Sequence, residues 1–309
     1  MASQEMASQE TASRETASLE AAIGPVRRLP YCDVILEGLQ NNDRNFLHAF
    51  GRHLHWGFWE DPETADGTVE DFACAADRLC DRLLAAASIT AGHAVLDAGC
   101  GIGGTLANLN ETLAAVSLHG INIDERQAAR AAAVVSPRPG NAVHFVHGDA
   151  CRLPFASAVF DRVLAVECIF HFPSRRQFFR EARRVLRRGG KLALSDFIPA
   201  ADATPVTPDP QRAEIARQVA DKFGPMTAFP TLDEYRQLAR ETGFEVTVVD
   251  DVTPGLVPSF KVVRKLLQRA GREEMAWATD MIEAQLRQQV SRYVILAFDA
   301  TTPASAPAA

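Results

Sequence analysis

The chain has no apolar run of about 18 residues, so no segment is long enough to span a membrane as a helix. It has no basic excess either. Lys and Arg number 32 against 39 Asp and Glu, a formal net charge of -7, which argues against a nucleic-acid binder. No basic stretch followed by an apolar run opens the sequence, so a secretory signal is not expected and the chain reads as cytoplasmic. Cysteine is scarce, with six residues at 32, 74, 80, 100, 151 and 168. None makes a CxxC pair or sits at zinc-ligand spacing with histidines, which fits reduced thiols. Tryptophan is scarcer, with three residues, two of them at 56 and 59.

What is present is ordinary for a globular protein: 47% hydrophobic and 23% charged residues over 309 positions, enough for one or two domains with a sizeable core. Residues 1–22 hold a five-residue repeat, MASQE-MASQE-TASRE-TASLE, whose period suits neither a helix face nor a heptad. It reads as a disordered or weakly helical tail. Residues 301–309 read as a second loose end.

Between the tails, helical and strand patterns alternate. Val69, Phe72, Ala76, Leu79, Leu83 and Leu84 recur at helical spacing. His93–Ala98 then reads as a strand ending in Gly99, and a helix follows from about Gly103. Val116–Ile123, Val143–Val146, Arg162–Val166, Lys191–Ser195, Phe244–Val249 and Arg292–Phe298 read as further strands. Asp124-x-x-Gln127, Ser174-x-x-Gln177 and Thr231-x-x-Glu234 look like capping boxes, and Gly189-Gly190 and Gly243 look like helix stops. Two amphipathic helices fill about 256–290. The pattern predicts an α/β fold: a doubly wound, Rossmann-like, mostly parallel seven-stranded sheet. The expected organisation is an N-terminal helical lid over 23–88, a catalytic domain over 89–300, and a helical insertion over about 200–290 before the last strand. In such sheets ligands bind beyond the carboxyl ends of the strands.

The strongest local signal is Val95-Leu96-Asp97-Ala98-Gly99-Cys100-Gly101-Ile102-Gly103-Gly104. Four glycines within six positions, at a strand-to-helix junction, allow a tight turn and close backbone approach to a ligand. Gly99-x-Gly101-x-x-Gly104 also satisfies the dinucleotide fingerprint, and alone the loop does not choose between cofactors. Its surroundings do. Asp97 at the strand end would repel a pyrophosphate and welcome an ammonium group. About 90 residues and a long helix precede the strand, whereas a nucleotide-binding half usually begins with its strand. A second polar strand end, Gly148-Asp149-Ala150, lies one unit further on.

VLDAGCGIGG, GDA followed by LPF and FDRV, and RRVLRRGGKLALSDF resemble, in order and spacing, the motifs of the class I S-adenosylmethionine-dependent methyltransferases. The likeness extends over about residues 45–250. It is nearest the small-molecule branch of the rebeccamycin sugar O-methyltransferase and of the tocopherol and sterol methyltransferases, whose aromatic segment LHWGFWED resembles. The resemblance implies S-adenosyl-L-methionine as cofactor and a small molecule as acceptor; the charge balance and the lack of a long apolar run leave no nucleic acid and no membrane expected as partner. It implies that Gly99 and Gly101 pass under the methionine and ribose, that Asp97 faces the amino group, and that Asp149 and Ala150 read the adenine. Backbone near Glu167 would help hold the methionyl end. The acid that many members place after the second strand is here Asn122, followed by Ile123, with Gln127 within reach of the ribose or else capping with Asp124.

Methyl transfer from a sulfonium needs an aligned nucleophile and exclusion of water. A hydroxyl acceptor also needs a base, whereas an alkene acceptor needs aromatic faces or a carboxylate near a cation. The catalytic candidates are Glu167, His171 and Asp196. In the resembling branch two adjacent histidines are common, and one pairs with the aspartate after the fifth strand. This chain has Phe170 at the first position and His171 at the second. Trp56, Phe58 and Trp59 with Phe170 are expected to form the lid or acceptor pocket. Phe223, Met226, Phe229, Phe260, Met275, Trp277 and Met281 are further apolar candidates. Arg175 and Arg176 read as solvated surface. His53 and His55 alone lack the further ligands a metal would need, so no metal is expected. A hydroxyl acceptor of natural-product type is the first expectation and C-methylation of a prenyl, sterol or polyketide-like carbon the second. N-methylation stays open, as does S-methylation of a thiol. From other classes, a nicotinamide-dependent oxidoreductase or a catalytically silent binding subunit would fit parts of the pattern.

Overall fold

The structure, a computed structural model, describes residues 29–200 and 210–301. The N-terminal tail, residues 302–309 of the C-terminal one, residues 23–28 of the expected lid and 201–209 of the expected insertion lie outside the described residues.

Seven strands form one sheet. They are β1 Ala94–Ala98, β2 Ser117–Asn122, β3 Ala142–His147, β4 Phe160–Ala165, β5 Leu186–Pro199, β6 Phe244–Asp251 and β7 Ser291–Ala300. Their order is β3-β2-β1-β4-β5-β7-β6. The first five are parallel, and β7 pairs antiparallel with both β5 and β6. The strand order reverses between β1 and β4, so the crevice beyond their carboxyl ends is where a doubly wound sheet offers a binding site.

Local chemistry fixes the helices. Helix α1 is Pro30–Gln40 and α2 is Arg44–Phe50, the latter capped by the Asp43 carboxylate. Helix α3, Val69–Ala87, starts where Thr68 Oγ1 accepts from the Asp71 amide, and it buries Phe72, Ala76, Leu79, Leu83 and Leu84. Helix α4 is Gly104–Thr112, and α5, Glu125–Val134, starts at Asp124. The Asp124 side chain accepts from the Arg126 amide, while Gln127 turns away to Asn122, so the expected box there is half made.

Helix α6, Arg175–Val185, is capped by Ser174 and buries Phe178, Phe179, Ala182 and Val185. Each buried Phe contributes roughly 1.5–3 kcal/mol relative to exposure. The helix stops at Val185, because Leu186 is already extended at φ -75 and ψ 135. Gly189 and Gly190 therefore fall inside β5 and do not end the helix as the sequence suggested.

Helix α7 is Pro210–Phe223, and α8, Leu232–Thr242, opens with a complete Thr231–Glu234 capping box and closes on Gly243. Helices α9 Thr253–Leu256, α10 Pro258–Arg269 and α11 Glu273–Arg287 lie between β6 and β7. The expected single insertion is thus two. One lies between β5 and β6 and the other between β6 and β7, with β6 itself in the sheet. Two apolar layers flank the sheet. One holds α1–α3 and α10–α11 and the other holds α6 and α8.

Candidate active site

Strand β1 ends in Asp97 and the chain turns through Gly99, Gly101 and Gly103, all at positive φ. A side chain at Gly99 would put its Cβ 2.6 Å from Cys168 Sγ, and one at Gly104 would meet the Arg52 carbonyl at 2.0 Å. These close approaches explain the glycines better than the turn alone. The loop, with the ends of β2, β3 and β4, walls a cavity of about 330 Å3. The sequence-predicted residues Asp97, Gly99, Gly101, Asn122, Ile123, Gln127, Asp149, Ala150, Glu167 and His171 all line it.

Asp97 is 1% exposed, and neither carboxylate oxygen has a hydrogen-bond partner among the described residues. Burial alone pushes its pKa up to about 7. A buried, unpartnered carboxyl is costly, and a cation delivered by a ligand would relieve it. Asn122 Nδ2 donates to Gln127 Oε1 at 3.2 Å, and its own Oδ1 accepts from the Asp124 amide at 2.9 Å. The Asn122 and Gln127 amides are thus held at the cavity wall by one another. Asp149 Oδ1 accepts from the Cys151 amide at 2.8 Å, which sets the turn that presents Ala150.

A smaller cavity of about 70 Å3 adjoins the first. Tyr31, Leu54, His55, Glu167 and His171 line both. Its remaining walls are apolar: Ile35 and Phe50 from α1–α2, Trp56, Phe170, Phe197, Phe223, Met226 and residues of α10–α11 such as Val263, Leu267 and Met275. Of the further apolar candidates, Phe223, Met226 and Met275 reach it. Phe229, Phe260, Trp277 and Met281 do not. Trp56 and Phe170 line it as expected, with Trp56 packed on Phe260 at 4.5 Å between ring centroids. Phe58 and Trp59 line neither cavity, which corrects their reading as lid. Trp59 Nε1 donates to Asp71 at 2.8 Å, and Arg82 lies 4.6 Å over the Phe58 ring. Both rings anchor the segment to α3, and Trp56 alone of the three faces the smaller cavity.

Glu167 stands at the junction with a strained φ of +48, a conformation that costs a non-glycine residue about 1–3 kcal/mol. Its Oε2 accepts from the Tyr293 hydroxyl at 2.7 Å and from the Trp56 amide at 3.3 Å, and its own amide donates to Ser195 Oγ at 2.9 Å. Burial raises its pKa to about 8 despite those bonds. Sequence reasoning missed Tyr293 and Ser195 as its supports. His171 Nδ1 lies 3.0 Å from the Pro225 carbonyl, so it donates there, and in the neutral ring the lone pair is on Nε2. Its ring stacks on Tyr31 at 6.0 Å.

Asp196 is a correction. It is 0% exposed and lines neither cavity. Its Oδ2 takes Arg175 Nη2 at 2.9 Å and the Tyr235 hydroxyl at 2.5 Å, so it does not pair with a histidine base. Arg175, read from sequence as surface, has a side chain only 9% exposed. It donates onward to Thr227 and to the Ala228 carbonyl, tying down the strap that carries Met226. Arg176 does sit at the surface, paired with Glu241.

A structural role for Asp196 has a measurable signature. Asp196→Ala strands a buried guanidinium, which costs about 3–5 kcal/mol and lowers the thermal midpoint by roughly 10 °C. Turnover of the folded fraction should stay within about tenfold of wild type, well short of the roughly 100- to 10,000-fold loss that removal of a general base brings. Differential scanning fluorimetry beside initial-rate assays checks both.

The model of a methyltransferase domain matches residues 96–194, from β1 to the middle of β5. The 27-O-demethylrifamycin SV methyltransferase of Amycolatopsis mediterranei (strain S699) is 38% identical over 217 residues, covering 68% of this chain and 73% of that protein. Methyltransferase GfsG of Streptomyces halstedii is 32% identical over 247 residues, covering 76% of this chain and 84% of that protein. This chain belongs to the methyltransferase family. Among solved structures, the [4+2]-cyclase SpnF superposes on the methyltransferase with a TM-score of 0.69 at 22% identity, covering 90% of this chain and 100% of that one. Geranyl diphosphate C-methyltransferase from Streptomyces coelicolor A3(2), solved with Mg2+, geranyl diphosphate and S-adenosyl-L-homocysteine, gives 0.67 at 18%, with coverages of 90% and 100%. These likenesses establish the shared fold. The family match falls on the strands whose ends wall the larger cavity, and the methyltransferase has no described helix long and apolar enough to cross a membrane.

Proposed function

We propose that the enzyme methylates a hydroxyl group of a small, neutral, largely apolar acceptor of natural-product type, using S-adenosyl-L-methionine. The observation that carries this reading is the junction of two unlike cavities. One holds a buried carboxylate that lacks a cation, the other is walled by apolar side chains, and Glu167 and His171 stand in both. When bound, the cofactor supplies an electrophilic methyl on a cationic sulfonium.

Asp97 would hold the ammonium group, and its unpartnered oxygens fit that task. Gly99 and Gly101 would pass beneath the methionyl and ribose parts, Asn122, Ile123 and Gln127 would face the ribose, and Asp149 and Ala150 would read the adenine. Tyr31, Leu54 and Trp56 close the junction against water. His171 would take the hydroxyl proton on Nε2 as the new carbon–oxygen bond forms, its ring oriented through the Nδ1–H bond to Pro225. The described residues lining the smaller cavity include no Lys or Arg, which disfavours an anionic acceptor such as a prenyl diphosphate.

C-methylation of an alkene is the second reading, favoured by the Glu167 carboxyl set beside the Trp56 and Phe170 rings. Glu167→Gln separates the two. A pKa of about 8 means Glu167 is mostly protonated at pH 7 and gains charge only as pH rises through 8. For a hydroxyl acceptor the amide mimics the working form. Turnover at pH 7 should then stay within about tenfold of wild type, small beside the loss of a general base. For an alkene, Gln should abolish turnover. Activity itself is tested with methyl-labelled cofactor against extracts and a panel of neutral polyketide-like alcohols and phenols, with mass spectrometry of the labelled product. Tight cofactor binding without label transfer to any of them would overturn the reading.

A further inference from the structure

Beside the larger cavity, outside the groups assigned to methyl transfer, three side chains with metal-ligating atoms converge: His53 and His55, from the segment after α2, and Cys80 from α3. One nitrogen of each imidazole and the Cys80 sulfur all lie within 4.8 Å of one another. The three residues are 4%, 7% and 0% exposed.

The hydrogen bonds fix what these atoms offer. His55 Nδ1 lies 2.8 Å from the Trp56 carbonyl, so it donates there and Nε2 keeps the lone pair. That Nε2 is buried and has no hydrogen-bond partner among the described residues. His53 Nε2 faces Asp77 Oδ1 at 2.9 Å. A carboxylate on one nitrogen of an imidazole is the arrangement that orients a ligating histidine through the other nitrogen. Asp77, Asp81 and Asp97 stand around the Cys80 sulfur. Arg52, which lines the larger cavity with the two histidines, is engaged by Asp77 and Glu111.

We propose that His53, His55 and Cys80 form a buried site for one zinc ion, which fastens the aromatic segment to α3 beside the cofactor cavity. Zinc suits two imidazoles and a thiolate, with bonds of about 2.0–2.1 Å to nitrogen and about 2.3 Å to sulfur. The three side chains close in around the ion, the His55 orphan is satisfied, and the thiol gives one proton to solvent. The cation answers the surrounding carboxylates. Both histidines also line the larger cavity, where a fourth position is left for water. The third ligand was not legible in the sequence, since Cys80 follows the histidines by 25 or more residues and a helix turn sets its direction.

The test uses the full chain, stripped by chelation and titrated with Zn2+ against a chromophoric competitor, then with Co2+. The expected result is one ion per chain, a rise in thermal midpoint with zinc, and a thiolate-to-cobalt charge-transfer band. Cys80→Ser should remove that band. Cys80→Ser and His55→Gln should each weaken zinc binding at least roughly tenfold, while the control Cys74→Ser, at an exposed thiol, leaves both unchanged. If Cys80→Ser does not fold, His55→Gln and the protection of wild-type thiols from alkylation by zinc carry the test. No ion bound, or binding that survives both substitutions, overturns the proposal.

Discussion

Asp97→Asn should abolish useful cofactor affinity, raising the dissociation constant by roughly 100-fold or more, while making the cofactor-free enzyme more stable at neutral pH. The two effects share one cause. The carboxyl is buried with no partner, and its pKa stands near 7 against a usual 3.8. Ionising it in the empty protein is therefore penalised, by about 4 kcal/mol at the conversion of 1.36 kcal/mol per unit. The sign follows from linkage. A folded pKa raised above the unfolded value leaves stability complete below about pH 4 and removes it as pH rises toward 7 and beyond. Asparagine carries no such penalty, so its stability profile should be flatter across that window, as urea titrations at several pH values would report.

Binding reverses the situation. An ammonium group beside Asp97 favours the charged form and pulls its pKa down, so at pH 6–7 the wild-type enzyme should release a proton on taking up cofactor. Calorimetry in buffers of different ionisation enthalpy measures that proton, and Asp97→Asn should release none. Unchanged affinity in the variant would mean that the ammonium lies elsewhere and that the orientation assigned in the larger cavity is wrong.

The parts of this site that sequence revealed are those built by neighbours along the chain. Asp97, the glycine turn and the Asp149–Ala150 strand end lie within a few residues of the strands that aim them, so type and spacing suffice. The Asp97 carboxyl could be placed from sequence, but its isolation could not, because isolation depends on what the rest of the chain leaves out. Asp196 failed for the converse reason. Its partners come from α6 and from Tyr235 in α8, 39 residues later, and they close it off completely. Glu167 depends on Tyr293, 126 residues away on the antiparallel strand β7. Trp56, Phe58 and Trp59 have the same local pattern, and only packing against α3 and α10 decides that two anchor and one lines the pocket.

With Asp196 withdrawn, the base we propose is a group that faces both cavities, and His171 meets that condition with its Nδ1 at the Pro225 carbonyl. His171→Ala should lower kcat by roughly 100- to 10,000-fold, the range for a lost general base, with the cofactor dissociation constant held within a few-fold. His171→Gln keeps a side chain able to donate to the Pro225 carbonyl but cannot take up a proton, so it should be nearly as slow as Ala. A purely supporting role predicts the opposite order, with Gln rescuing turnover and Ala raising the acceptor KM as the strap at Pro225–Phe229 loosens. The acidity of the acceptor decides between them. With His171 as base, a more acidic phenol acceptor should recover part of the rate in His171→Ala, because it needs less help to lose its proton. If Ala keeps full turnover on an alcohol acceptor, His171 is not the base, and Glu167 is the junction residue left to carry the proton.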